Sequence, residues 1–359
     1  LRRYHATLAE MAATGLPAPA KSHAKDLTVA EALERFLEHA KTYYATGEGA
    51  KNGHISRIKA AVKGCVDLYS ADLASEFGPL KLRAVQAELV RRGYTRGNVN
   101  NMTGVLKLAW KWLAANELVP APAYLALTVV SGLRVGKTAA RESEPVRPVP
   151  QAHIDAVREV LPPTVRSMVD LQLATGARPG EIVRLRPCDI DRSGPVWVAT
   201  LKDHKTAYHG KERTLYMGPK AQAAVRELLL TRGPADYLFN PREAIQQRGA
   251  AAETHRRKGQ PETPRKTKRT ISDRYDVHSY RRAIARAVAT VNKKAEEEKT
   301  PKISNWHPHQ LRHNAGTAVR GQFGLDGAQV YLGHSDANVT QIYSEIDRAK
   351  ALKIAEEMG

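Results

Sequence analysis

The stretch SGLRVGKTAARESEPVRPVP, residues 131–150, constrains the fold of this 359-residue chain more than any other. It is polar, basic and rich in Gly and Pro, and no helical period runs through it. A segment of that composition connects elements rather than packing as one, so the chain divides there into two domains, as its length also favours. The expected division is an N-terminal extension over 1–25, a helical domain over 26–130, a linker over 131–148 and a larger domain over 149–359.

The part before the linker reads as helices throughout. DLTVAEALERFLEHAKTYY (26–44) places Val29, Leu33, Phe36, Leu37 and Ala40 on one face, and Thr28 and Glu31 have capping-box spacing. Further helices are predicted near 52–69, with Ile55, Ile58, Val62 and Val66 inward, over about 80–92, and over 96–115. The stripe of the last is Val99, Met102, Leu106, Ala109 and Leu113. Such a set makes a small all-α domain.

After the linker the pattern mixes. Helices are predicted at 151–161, up to Gly176, at 219–231 and at about 276–296. VWVATL (196–201) and RTLYMG (213–218) alternate as strands around a basic, glycine-containing turn. Residues 241–275, which include HRRKGQPETPRKTKRT, are too charged to pack and read as a loop, solvated or in contact with a partner. The fold class is therefore mainly α with a small β-sheet.

Lys and Arg number 56 against 37 Asp and Glu, a formal charge of +19. That balance points to a polyanionic partner, with nucleic acid first and an anionic membrane surface second. No apolar run is long enough to span a bilayer, and the first residues hold no signal peptide. Absence of an initiator Met reads as trimming before Leu1. Cys65 and Cys188 are expected to be reduced, partly buried thiols of a cytoplasmic protein.

WHPHQLRHNAG (306–316) gathers His307, His309, Arg312 and His313. A His-rich tract suggests zinc, and His309 and His313 have HxxxH spacing. The Glu of the zinc-protease motif is missing, however, with Gln310 in its place, and no further ligands follow at a recognisable spacing. No metal and no other cofactor is expected. Around this tract lie ATGARPGE with Arg178 and Glu181, the hairpin KDHKTAYHGKERTLYMG with Lys205 near its tip, and YLGHSDANVTQIYSEI with His334 and Tyr343.

In that order the set resembles the tyrosine recombinases, the phage integrase family, over about residues 27–350. The resemblance implies a SAM-like, all-α core-binding domain followed by a mixed α/β catalytic domain. It implies a site-specific DNA strand transferase, most like a mobile-element or phage integrase, working as a tetramer on two double-stranded DNA sites. Accessory DNA-bending or directionality proteins would belong to the same picture, and no membrane would.

The residue types suit that chemistry. Attack on a phosphodiester must stabilise a more anionic transition state, and two guanidinium groups, Arg178 and Arg312, suit the two non-bridging oxygens. Tyr343 is the candidate nucleophile, conserving the bond energy as a phosphotyrosine. His309 is placed to receive its proton or to hold the phosphate. By resemblance Lys205 is the general acid for the leaving 5′ oxygen, and His334 donates to a non-bridging oxygen. Glu181 is assigned to orienting the site and His313 to packing or support. Each also has a plainer reading: a half-buried tyrosine, a helix-start arginine with its exposed Glu partner, a solvated hairpin lysine beside Lys202 and Lys211, a histidine capping the turn after Gly333.

Asn314 stands where the family usually has Ser or Thr, which puts one supporting hydrogen bond in doubt. Two other functions compete: a type IB topoisomerase, which relaxes DNA by similar chemistry, and a non-catalytic DNA-binding protein on the same fold. Both domains being basic, a C-shaped clamp around DNA is expected, with base contacts from the helix at 96–115.

Overall fold

The computed structural model describes residues 27–44, 53–201, 213–245 and 271–333. The chain forms two compact units, Leu1–Pro145 and Val146–Gly359, each with its own hydrophobic core. The described residues are mainly helical, with one small sheet.

The first unit contains α1 (Val29–Tyr43), α2 (Gly53–Tyr69), α3 (Pro79–Arg91), α4 (Arg96–Ala115) and α5 (Ala121–Thr128). The capping box starts α1: the Glu31 N–H donates to Thr28 Oγ1 at 3.3 Å, and the Thr28 N–H to the Glu31 carboxylate at 2.9 Å. The predicted stripe of α4 is buried, and α1, α2, α3 and α5 all pack on this helix. Trp110, fully buried on α4, stacks on Phe77 with ring centroids 4.3 Å apart and donates its indole N–H to Ala74 O at 3.0 Å. Its polar atom is thus satisfied inside the core.

Part of the polar stretch after Val130 is pinned to α4. The Asn100 side-chain amide makes a reciprocal pair with the Leu133 peptide, donating to its O at 3.0 Å and accepting from its N at 2.7 Å. The Arg96 N–H donates to Arg141 O at 2.9 Å, and its guanidinium pairs with Glu142. These anchors are polar, so hydrophobic periodicity carries no sign of them.

The second unit contains α6 (Gln151–Val160), α7 (Pro163–Thr175), the short α8 (Pro179–Ile182), β1 (Ile190–Asp191), β2 (Trp197–Leu201), β3 (Arg213–Met217), α9 (Pro219–Leu230), α10 (Val277–Glu297) and α11 (Pro308–Leu332). The two predicted strands, β2 and β3, pair antiparallel from Trp197 opposite Met217 to Leu201 opposite Arg213, and β1 adds an outer strand on β2. Helix α7 is the hub, packing against α8, α9, α11 and β3. Gly324, at φ +75°, breaks α11. Asn314 clamps the Val149 peptide, accepting its N–H at 2.8 Å and donating to its O at 2.6 Å, which fixes the start of α6 against α11.

Two expectations need correction. Residues 241–245 are helical, Ala244 and Tyr275 are buried, and Arg242 donates to Ile271 O through Nη2 at 3.0 Å. The ends of the 241–275 stretch therefore pack, because its apolar residues sit at its margins; 246–270 lie outside the described residues. Cys188 is exposed rather than partly buried, being held in a 3-10 turn, Pro187–Asp189, that buries none of its side chains. Cys65 is buried, and burial pushes its thiol up to about 12. Among the described residues no helix is long and apolar enough to cross a membrane.

Candidate active site

Arg178 owes its place to the way α7 ends. Gly176 takes the left-handed conformation, φ +62°, and a Cβ there would lie 2.6 Å from Leu332 Cδ2. Glycine thus permits both the turn and the close approach of the end of α11. Thr175 Oγ1 donates back to Leu171 O at 2.7 Å and accepts the Ala177 N–H at 3.3 Å. Gln172 donates to Ala177 O at 3.0 Å and accepts the hydroxyl of the fully buried Tyr280 at 3.1 Å. The peptide that delivers Arg178 is therefore held from α7 and from α10.

Arg178 then caps α8, with Pro179 at its first position. Its N–H donates to Glu181 Oε2 at 2.8 Å and its Nη1 to Oε1 at 2.9 Å. The Arg178 side chain stays 34% exposed while that of Glu181 is 5% exposed. This is a cation presented outward from a buried carboxylate, so the reading of Glu181 as an exposed partner does not hold. Burial pushes the Glu181 carboxyl up. Arg213, and then the N–H and guanidinium of Arg178, outweigh that effect and leave it below its ordinary value.

Arg213 is a residue that sequence reasoning passed over. It opens β3, its Nε donates to Glu181 Oε1 at 3.3 Å, and its Nη1 donates to Thr214 O at 3.1 Å. The signal was available: alternation along RTLYM puts Arg213 on the inward face with Leu215 and Met217. Gln172 and Tyr280 were also missed as supports, since single polar residues leave no periodic trace, while Asn314, which stands where the family usually has Ser or Thr, holds the Val149 peptide.

Arg312 differs from Arg178 in exposure. It is completely buried on α11, with Nη1 donating to Gly176 O at 2.6 Å and Nη2 to Leu332 O at 2.8 Å. It ties together the ends of α7 and α11 from beneath. One turn earlier, His309 is half-buried, and its pKa lies below the ordinary value because of burial and then the charges of Arg312, His307 and Arg178. His313 is buried, its ring edge-on to His309 with centroids 5.7 Å apart. Burial, His309, Arg312 and His307 lower its pKa to about 4. His307 caps α11 and is shifted down by burial and by Arg281. At neutral pH the histidines are held neutral beside fixed guanidinium charge. Among the described residues no group of three His, Cys, Asp or Glu side chains is placed to hold a metal.

The structure thus brings Arg178, Glu181, Arg213, His309, Arg312 and His313 to the junction of α7, α8, β3 and α11. Lys205, His334 and Tyr343 lie outside the described residues. Such a site can bind a phosphate-sized anion at Arg178 beside a neutral imidazole. The phage integrase family matches residues 151–350.

The chain belongs to the phage integrase family.

It is a tyrosine-type, site-specific DNA recombinase. Tyrosine recombinase XerC of Xanthomonas campestris pv. campestris (strain B100) is 23% identical over 333 residues, spanning 90% of this chain and 86% of XerC. The fold is that of solved integrases. The Tn1549 transposon integrase, solved in complex with circular intermediate DNA, superposes with TM-score 0.59 at 14% identity, over 91% of this chain and 99% of that one. A lambda integrase dimer bound to a COC′ core site gives TM-score 0.58 at 15% identity, over 96% and 87%. A lambda integrase tetramer bound to a Holliday junction gives 0.58 at 12% identity, over 96% and 86%.

Proposed function

We propose that this recombinase is the integrase of a phage or mobile element, exchanging strands between two double-stranded DNA sites. One observation carries the reading: a partly exposed arginine, Arg178, anchored by a buried carboxylate and set beside a histidine kept neutral. Cleaving a phosphodiester needs a fixed cation at the non-bridging oxygens and a base able to take a proton at neutral pH.

In the proposed reaction the Tyr343 oxygen attacks the scissile phosphorus while its proton passes to His309. An O–P bond to tyrosine forms as the bond to the 5′ oxygen breaks, and Lys205 gives that oxygen a proton. Arg178 binds the phosphate, and Arg312 adds fixed positive charge from below. His334 donates to a non-bridging oxygen, Glu181 orients Arg178, and His313 supports His309. The 3′-phosphotyrosine keeps the bond energy, so a 5′-hydroxyl from the partner duplex reseals the strand with no cofactor.

A homotetramer, as in the lambda integrase tetramer on a Holliday junction, suits exchange between two duplexes. We assign residues 26–130 to core binding, 131–148 to the linker and 149–359 to catalysis. The tail 348–359 is the proposed contact between protomers, and accessory DNA-bending or directionality proteins belong to the same assembly.

The test is a two-site recombination assay beside supercoil relaxation. Recombinant product from a plasmid carrying both sites is the expected result. Relaxation without product would favour a topoisomerase, and neither activity would favour a non-catalytic DNA-binding protein.

A further inference from the structure

We propose that Arg213 is a positioning residue of the strand-cleavage site, fixing the Glu181 carboxylate that orients Arg178. The inference rests on the strand-cleavage reading above. Among the described residues, Arg213 is the one hydrogen-bond partner of the Glu181 carboxylate from outside the 178–181 turn: Nε reaches Oε1, the same oxygen that holds Arg178 Nη1. Without it, the described hydrogen bonds of the carboxylate run only to Arg178, the residue it is meant to aim.

The guanidinium meets three pieces of the site at once. Nη1 donates to Thr214 O, which fixes the group to β3 where the hairpin rejoins the sheet. A Cβ on Gly333 would lie 2.3 Å from the same Nη1, so the end of α11 closes directly on this side chain. Leu332, the residue before it, accepts from Arg312. Arg213 therefore stands between the turn bearing Arg178 and the helix end braced by Arg312.

Space-filling alone does not account for an arginine here. Its side chain is 7% exposed, and Nη2 is buried with no hydrogen-bond partner among the described residues. A buried guanidinium with a stray donor is a costly way to occupy volume, and an apolar side chain of similar length fills it more cheaply. What the apolar chain cannot do is hold the carboxylate.

Arg213→Met, Arg213→Lys, Glu181→Gln and the double variant R213M/E181Q would be compared with the parent protein. The measurements are half-site affinity, melting temperature and the single-turnover rate of covalent adduct formation on a nicked half-site, well below each melting point. We expect Arg213→Met to bind the half-site normally and to form adduct roughly 100-fold more slowly, the penalty of a misplaced catalytic group. Arg213→Lys should recover part of that loss. The double variant should be no slower than the slower single, because both changes break one linkage. If Arg213→Met does not fold, Arg213→Lys and Arg213→Gln decide by the same criteria, both slow at normal affinity and Lys the faster. Cleavage within about threefold of the parent, or losses that multiply in the double variant, overturn the assignment. A parent protein that forms no adduct overturns the strand-cleavage reading as well, whereas a parent that cleaves beside an equally active Arg213→Met overturns this assignment alone.

Discussion

Arg178 and Arg312 share a side chain and a sign of charge, yet they should fail differently. Arg312 is sealed in, and its loss strands the carbonyls of Gly176 and Leu332. Arg312→Ala should therefore destabilise the second unit by roughly 3 kcal/mol or more, seen as a lowered melting temperature. Arg178→Ala, taken from a partly exposed position, should leave melting within a few degrees and abolish cleavage. Equal melting losses would show that exposure does not separate the two roles. Histidine supplies a pH test. His313 titrates near 6.5 when unfolded and at about 4 when folded, so its neutral form stabilises the fold fully above 6.5. That contribution is lost as pH falls from there through 4, since the unfolded chain takes up the proton first. His313→Gln should flatten the fall in melting temperature over this window, and an unchanged slope would show that His313 does not drive it. At this scale the sequence was legible in identity more than in environment. The motifs carrying Arg178, Glu181, His309 and Arg312 suggest a phosphate site by resemblance, but whether a guanidinium faces solvent or two carbonyls depends on contacts between residues 136 positions apart.

Among the elements, helices with a clear apolar stripe were readable because burial follows a single period. Helix α4 shows this along its whole length, and the inward set of β3 follows the strand period. Short or uniformly apolar pieces were not. Helix α5 has no polar face, and β1 is two residues long, too short for alternation to register. The side-chain anchors Asn100, Gln172 and Asn314 are single amides that bind main-chain groups, Gln172 the Tyr280 hydroxyl as well, and no pattern announces them. The junction of α7 and α8 can be tested directly. Gly176→Ala places a methyl carbon 2.6 Å from Leu332 Cδ2 on a backbone at φ +62°. It should destabilise the fold by about 1–3 kcal/mol, and it should slow cleavage beyond what unfolding explains, because Arg178 follows two residues later. A variant that melts and cleaves like the parent would mean that the turn does not set the position of Arg178.

Over the whole molecule, the break in hydrophobic period after residue 130 suggests two domains, and the two compact units of the structure divide at Pro145 and Val146; the charge of +19 points to a polyanion partner. Composition could not show that the stretch after that break is partly fastened to α4, because the polar part of the fastening is single amides and one ion pair, which leave no hydrophobic period. The charge predicts that half-site affinity falls steeply with salt, the logarithm of the binding constant dropping linearly with that of salt concentration. A slope near zero would remove phosphate contacts from the account. Everything else depends on one covalent bond. Incubating the protein with a nicked half-site and resolving the products under denaturing conditions should give a protein–DNA adduct through the 3′-phosphate, absent from Tyr343→Phe, which binds the same half-site as tightly as the parent. An adduct that persists in Tyr343→Phe, or that the parent never forms, would contradict the claim that this chain cuts DNA through Tyr343.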